Sequence, residues 1–153
     1  MLETLLVRLE SLLAGGEWDG ALGEILAYIQ ADSGTVHLMG PDAMLHLKSA
    51  SAGIPEPVRR IVEAVPMGKG MAGLAAERRE PVSICNIQTD QSGDVRPGAR
   101  ATGLEGAIAL PMFGPGDSHV AGVLGVANRA PRTFTPEETS ELLEIGRTLA
   151  RFV

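Results

Sequence analysis

The segment Asp94-Val95-Arg96-Pro97-Gly98-Ala99-Arg100 sets two arginines four positions apart around a proline suited to the first turn of a short helix. In such a helix the amides of Gly98 and Ala99 fall at the N-terminus, where unpaired N–H groups and the helix dipole attract anions. Arg96 and Arg100 would add forked donors that match carboxylate or phosphate oxygens. Two readings stay open. The group is a site for a small anion or an anionic ligand, or its arginines pair with Asp90, Asp94 or Glu105 and pin the loop.

Cys85 is the only cysteine, which excludes an internal disulfide and a cysteine-rich zinc site and suits a reducing compartment. It stands at the entrance of the same loop. There it could line a pocket, sense oxidants if its thiolate were stabilised, or sit on a strand as a small buried hydrophobe. His37 and His46 fall on expected strands and His119 beside an expected hairpin, with no His-Glu-x-x-His spacing, so no metal site is expected. Residues 47–118 contain no histidine and therefore offer no axial ligand for a haem. Neither a Ser-His-Asp order nor a paired-carboxylate signature stands out, so no catalytic residue is assigned and no cofactor is expected.

Gly68-x-Gly70-x-x-Gly73 matches the dinucleotide-binding pattern letter for letter. That pattern needs a buried parallel strand before it and an acidic residue about 20 positions on. The preceding Arg60–Pro66 reads as a helix end and a turn, and Asp90 lies in a polar loop. These glycines are better read as permitting a tight turn and close helix-to-sheet approach.

The elements that must position these residues follow from apolar spacing. With 153 residues the chain is one domain, large enough for a core without disulfides or metals. Aromatics at 3% and a net charge of -6 exclude a stacking platform or a phosphate-backbone partner, so no nucleic acid is expected. No secretory signal and no membrane-length apolar run is present, so a cytoplasmic protein with no membrane partner is expected.

Leu2, Leu5, Leu6, Leu9, Leu12 and Leu13 predict a first helix that ends at Gly15-Gly16. A second is predicted over 19–30, strands over 35–39 and 44–52, a helix over 55–64, a helix over 71–79 and a strand over 81–85. Residues 86–104 carry few large apolar side chains, and a connection longer than about 12–15 residues is usually functional or disordered. Strands over 106–113 and 119–127 flank the turn Gly114-Pro115-Gly116-Asp117. Thr135, Pro136 and Glu138 form a capping box for a last helix whose stripe is Leu142, Leu143, Ile145, Leu149 and Phe152. Strands in adjacent pairs favour an antiparallel sheet covered by helices.

Three stretches carry a family resemblance: Pro66-Met67-Gly68-Lys69-Gly70-Met71-Ala72-Gly73 with its following helix and Pro81-Val82, then Ala109-Leu110-Pro111-Met112-Phe113, then Gly122-Val123-Leu124-Gly125-Val126-Ala127-Asn128. In this order they resemble the GAF domain, a small sensory module of signalling proteins, over the chain from about residue 20 to its end. The resemblance implies an α+β, GAF-like (PAS/profilin-like) fold: a five- or six-stranded antiparallel sheet between two layers of helix. Residues 1–16 would form an N-terminal helix, available for dimerisation, and 17–153 the core. It also implies that the loop over 86–104 lids a ligand pocket.

Cyclic-nucleotide-binding members show an Asn-Lys pair, a later Phe and an Asp-Glu pair; this chain offers Asn128-Arg129, Phe134 and Glu138-Thr139. Arg129 and Glu138 would keep a salt bridge, while Thr139 departs from the pattern. Free methionine sulfoxide reductases share the fold, but their reactive cysteines align with Ala72 and Arg100, and Cys85 alone cannot complete their cycle. Bilin attachment lacks its Cys-His pair. The resemblance thus implies a non-enzymatic sensor that binds an unknown small molecule, with an anion among the candidates, forms a homodimer through its terminal helices, and signals to a partner protein in trans. Candidate ligand-binding residues are His37, Met71, Cys85, Asn86, Asp94, Arg96 and Arg100, with the helical connection over 53–65 as a further wall. The alternative is a ligand-free dimerisation and interaction module.

Overall fold

In the computed structural model residues 1–95 and 97–153 are described, and Arg96 lies outside the described residues. Helix α1 (Leu2–Ala14) buries Leu5, Leu9 and Leu13, one side of the helix at four-residue spacing. Helix α2 (Trp18–Ile29) buries Trp18, Ala21, Leu22, Ile25, Leu26 and Ile29 and closes on Gln30 in the left-handed conformation. Helix α5 (Pro136–Ala150) starts on the expected capping box. Thr135 Oγ1 accepts from the Glu138 amide at 3.1 Å, and Glu138 Oε1 accepts from the Thr135 amide at 2.9 Å.

The strands are β1 (Ser33–Met39), β2 (Met44–Ala50), β3 (Ala64–Pro66), β4 (Val82–Ile84), β5 (Gly106–Phe113) and β6 (Val120–Asn128). They form one six-stranded sheet in the order β3-β2-β1-β6-β5-β4, and every neighbouring pair is antiparallel. Helices α1, α2 and α5 cover one face, where Leu9, Leu22, Ile25, Leu110, Met112, Leu124, Leu142 and Ile145 are fully buried together. Helices α3 (Glu56–Ile61) and α4 (Gly70–Arg78) and a 3-10 segment, Pro97–Thr102, belong to the other face. The sheet of five or six strands between two helical layers is therefore present, with six.

Two local readings of the sequence need correction. The helix expected over 55–64 stops at Ile61, and Ala64–Pro66, read as a helix end and turn, is an edge strand on β2. Val65 is buried there, and Pro66 is tolerated because an edge strand need not donate on both sides. The salt bridge to Glu138 comes from Arg132 at 2.5 Å, not from Arg129. Arg129 is exposed at the end of β6, where its backbone amide donates to Asp32. Arg132 also donates to the carbonyls of Ile29 and Gln30, closing the end of α2, and stacks 4.3 Å from the Phe134 ring.

The glycine motif between β3 and α4 has a conformational purpose. Gly68 and Gly70 have φ of 82° and 65°, the region that favours glycine. A side chain at Gly73 would collide with the Pro66 carbonyl and lie 3.1 Å from the Gly68 nitrogen. The strand before the motif is a three-residue antiparallel edge, so the parallel βαβ unit that a dinucleotide fingerprint requires is not built here.

Candidate functional site

Strand alternation divides β1 between the two faces. Val36 and Leu38 pack into the three-helix core, while Thr35 and His37 border a cavity on the opposite face. The same face of β5 and β6 carries Ala107, Ala109, Gly125 and Ala127, none with a side chain longer than a methyl. Ile108, Leu110, Leu124 and Val126 fill the other face. The small residues leave room that nothing on the opposite layer fills completely, and the result is a cavity of about 200 Å³.

Its walls are mostly hydrocarbon. Ile54, Val58, Ile61 and Val62 come from α3 and its flanks, Met71 and Ala72 from the first turn of α4, and Val95, Ala99 and Leu104 from the long loop. Lys69 stands at the rim, exposed, and has no ion pair among the described residues. Thr102 is already engaged, donating to the Ala99 carbonyl and accepting from the Leu104 amide.

His37 is the most deeply buried polar residue of the wall, 3% exposed. Its Nε2 lies 2.7 Å from the Val62 carbonyl oxygen. A carbonyl only accepts, so Nε2 carries the hydrogen and Nδ1 of the neutral ring keeps its lone pair. Nδ1 is buried and has no partner among the described residues. Burial holds the pKa below the ordinary 6.5, reinforced by His46 and opposed by the Val62 carbonyl, so the ring is neutral at physiological pH.

The sequence-derived candidates divide sharply. His37 and Met71 border the cavity. Cys85 does not, and it is exposed rather than buried. Strand β4 turns Val82 and Ile84 inward and Ser83 outward, and the same alternation carries Cys85 outward. Asn86 is spent on its own loop, accepting from the Gln88 amide at 2.9 Å. Asp94 pairs with Arg78 at 3.2 Å, a partner outside the loop.

Arg100 is exposed and donates to the carbonyls of Asp90 at 2.7 Å and Ile87 at 3.4 Å. It pins the loop, through backbone oxygens instead of the carboxylates of Asp90, Asp94 or Glu105. Gly98 and Ala99 face the cavity, but their segment is a six-residue 3-10 helix and Arg100 points its donors elsewhere. Arg96, the other half of the expected anion site, falls outside the described residues.

Other histidines are occupied locally. His46 bonds Asp42 in the β1–β2 turn, and His119 bonds Ser118. Among the described residues no group of three or more His, Cys, Asp or Glu is placed to hold a metal ion, and no helix is long and apolar enough to cross a membrane. Sequence reasoning missed Thr35, Lys69 and the floor of small residues. A signal was present, because Ala107, Ala109, Gly125 and Ala127 alternate with large residues on adjacent strands.

The sequence model of the GAF domain matches residues 18–153. The GAF domain of a phosphoenolpyruvate-protein phosphotransferase from Acinetobacter is similar at 18% identity, covering 99% of this chain and 92% of that one, with a TM-score of 0.78. The corresponding domain from Coxiella burnetii gives 17% identity, 98% and 90% coverage and a TM-score of 0.76. The free methionine-R-sulfoxide reductase of Neisseria meningitidis, solved in complex with its substrate, gives 16% identity, 99% and 87% coverage and a TM-score of 0.77. At such identities these likenesses show the fold. No curated protein matches the chain significantly.

Proposed function

The chain belongs to the GAF domain family, and from that membership we propose that it is a sensory and regulatory module holding a small molecule between its sheet and the layer of α3, α4 and the Pro97–Thr102 segment. The observation that carries the reading is the cavity of about 200 Å³, largely apolar, with one polar atom in its wall buried and unsatisfied among the described residues. Ligand sites are typically concave and mainly apolar with a few placed polar groups. A signalling role requires that the ligand prefer one of two states. Here α3 is short, with only Val58 buried among its residues, so the wall it provides can settle differently over a filled and an empty cavity.

On this reading the terminal helices carry the output. Helix α5 packs on the reverse of β5, and Arg151 at its end pairs with Glu10 of α1 at 3.3 Å. A second copy pairs through these helices, and the signal passes to a partner protein in trans. Thiol-based reduction of a sulfoxide is less well supported. It needs a nucleophilic cysteine at the bound substrate and a second thiol to release it, whereas Cys85 is the only cysteine and is not among the residues bordering the cavity.

Thermal unfolding of the full chain against a panel of neutral molecules, amino acids, 2-oxo acids, purines, cyclic nucleotides, nitrate and phosphate tests the proposal. A ligand at 100 times its dissociation constant stabilises by about 2.7 kcal/mol. A saturable shift is the expected result. A flat response across the panel, with a persistent dimer by light scattering, favours the ligand-free interaction module instead.

A further inference from the structure

We infer that the ligand of this cavity is a compact, mainly apolar molecule that presents one N–H or O–H donor to Nδ1 of His37. The inference rests on the reading of the cavity as a small-molecule site and narrows its chemistry. Buried polar atoms without a partner are rare in folded proteins and cost stability, so each one asks for an explanation. The Val62 carbonyl fixes the tautomer by taking the Nε2 hydrogen, which leaves Nδ1 able only to accept. None of the described residues supplies it with a donor. The ring borders the cavity while Nδ1 itself is covered in this structure, so a donor comes to it from that side as the lightly anchored α3 wall shifts over a ligand.

The remaining lining favours a neutral body. Small residues form the floor, aliphatic side chains form the walls, and the cation of Lys69 sits out at the exposed rim. Apolar cavities of ~150 Å³ accommodate benzene, so about 200 Å³ suits a substituted or fused ring or a branched aliphatic of similar bulk. A carbonyl, ether or carboxylate oxygen turned toward His37 would set lone pair against lone pair. The site therefore discriminates by hydrogen-bond direction as well as by size.

Isomeric probes separate donor from bulk: 3-methylindole against 1-methylindole, and 4-methylphenol against anisole. Each pair has the same atoms, but only the first member has an N–H or O–H. Affinities come from thermal unfolding titrations of the full chain, and the 15N resonance of His37 Nδ1 reports whether its lone pair is engaged. We expect the donor-bearing member to bind roughly fivefold to tenfold more tightly, the usual worth of one hydrogen bond, and to move the Nδ1 resonance. In His37→Phe the two members should bind alike. If that variant does not fold, the wild-type comparison and the 15N shift decide alone.

Equal affinities within both pairs and an unmoved Nδ1 resonance overturn the donor inference and leave the small-molecule site standing, as when a water already satisfies Nδ1. No saturable binding by any of the four probes overturns the donor inference too. If the broader panel is flat as well, the small-molecule reading falls with it.

Discussion

His37 Nε2 and the Val62 carbonyl oxygen stand 2.7 Å apart, and that one hydrogen bond ties the middle of β1 to the residue that follows α3. It joins a rigid wall of the cavity to a lightly anchored one. It also decides which ring nitrogen remains free, so a structural bond and a binding preference share one side chain.

Because burial holds His37 below its ordinary pKa of 6.5, its titration affects stability in a definite direction. The unfolded chain takes up a proton as pH falls through about 6.5, while the folded ring resists it. The contribution is complete above that value and is lost as pH drops toward the lower folded pKa. Urea midpoints followed from about pH 7.5 to about pH 5 should decline in the wild type and decline less in His37→Phe. Equal slopes would mean that the ring titrates in the folded state as it does in the unfolded chain.

Arg132 and Arg129 provide a paired comparison. The first donates to two carbonyls at the end of α2, to Asn128 and to Glu138; the second is exposed and lends its backbone amide to Asp32. Arg132→Ala should destabilise by about 2 kcal/mol, because charged hydrogen bonds to part-buried groups are lost. Arg129→Ala should stay within about 0.5 kcal/mol, as surface substitutions usually do. Chemical denaturation of the two variants tests the assignment, and similar losses would reject it.

Gly73 is a glycine whose replacement should be poorly tolerated. Its missing side chain is required by the Pro66 carbonyl, a backbone atom that cannot rotate away. Gly73→Ala should cost about 2–3 kcal/mol through overpacking, whereas Gly23→Ala, where a Cβ meets nothing within 4 Å inside α2, should be neutral or stabilising. A well-tolerated Gly73→Ala would show that β3 and α4 can move apart.

Local signals in the sequence placed most elements, because they act within one turn or one strand. Thr135, Pro136 and Glu138 announced α5, and Gly114-Pro115-Gly116-Asp117 announced the β5–β6 hairpin. Strand β3 escaped because three residues ending in proline show no period, and only the partner β2 makes them a strand. The site was less legible. Arg129 beside Asn128 looked like the partner of Glu138, but the reach of a guanidinium depends on where the backbone leaves β6. Cys85 and Arg100 were of suitable chemical type and pointed elsewhere. The stronger signal was what the strands lacked, large side chains at 107, 109, 125 and 127.

Tyr28 offers an optical test of how α2 meets α5. It is the only tyrosine, and its hydroxyl donates to Glu141 at 2.6 Å. That bond, then burial, pushes its pKa from 10.0 up to about 12. The phenol therefore favours the fold below pH 10.0, and this contribution is lost as pH rises toward about 12. Phenolate absorbance of the folded protein should rise late, and earlier in Glu141→Gln. An unperturbed titration in the wild type would break the proposed contact.

Filling the cavity should separate binding from folding. Leucine at Ala107 would direct three additional carbons into a space of about 200 Å³ bordered by Met71, Val95 and Leu104. Filling a void in an apolar wall commonly stabilises by roughly 0.5–2 kcal/mol, while excess volume in a tight core costs about 1–3 kcal/mol. Because this site has room, Ala107→Leu should unfold at or above the wild-type temperature and lose any saturable response to a ligand. Leucine at Ala75, which is fully buried in the neighbouring cluster and does not border the cavity, should instead lower the unfolding temperature. If both substitutions destabilise alike, the cavity closes up in solution, and a pocket for a small molecule must be sought elsewhere on the domain.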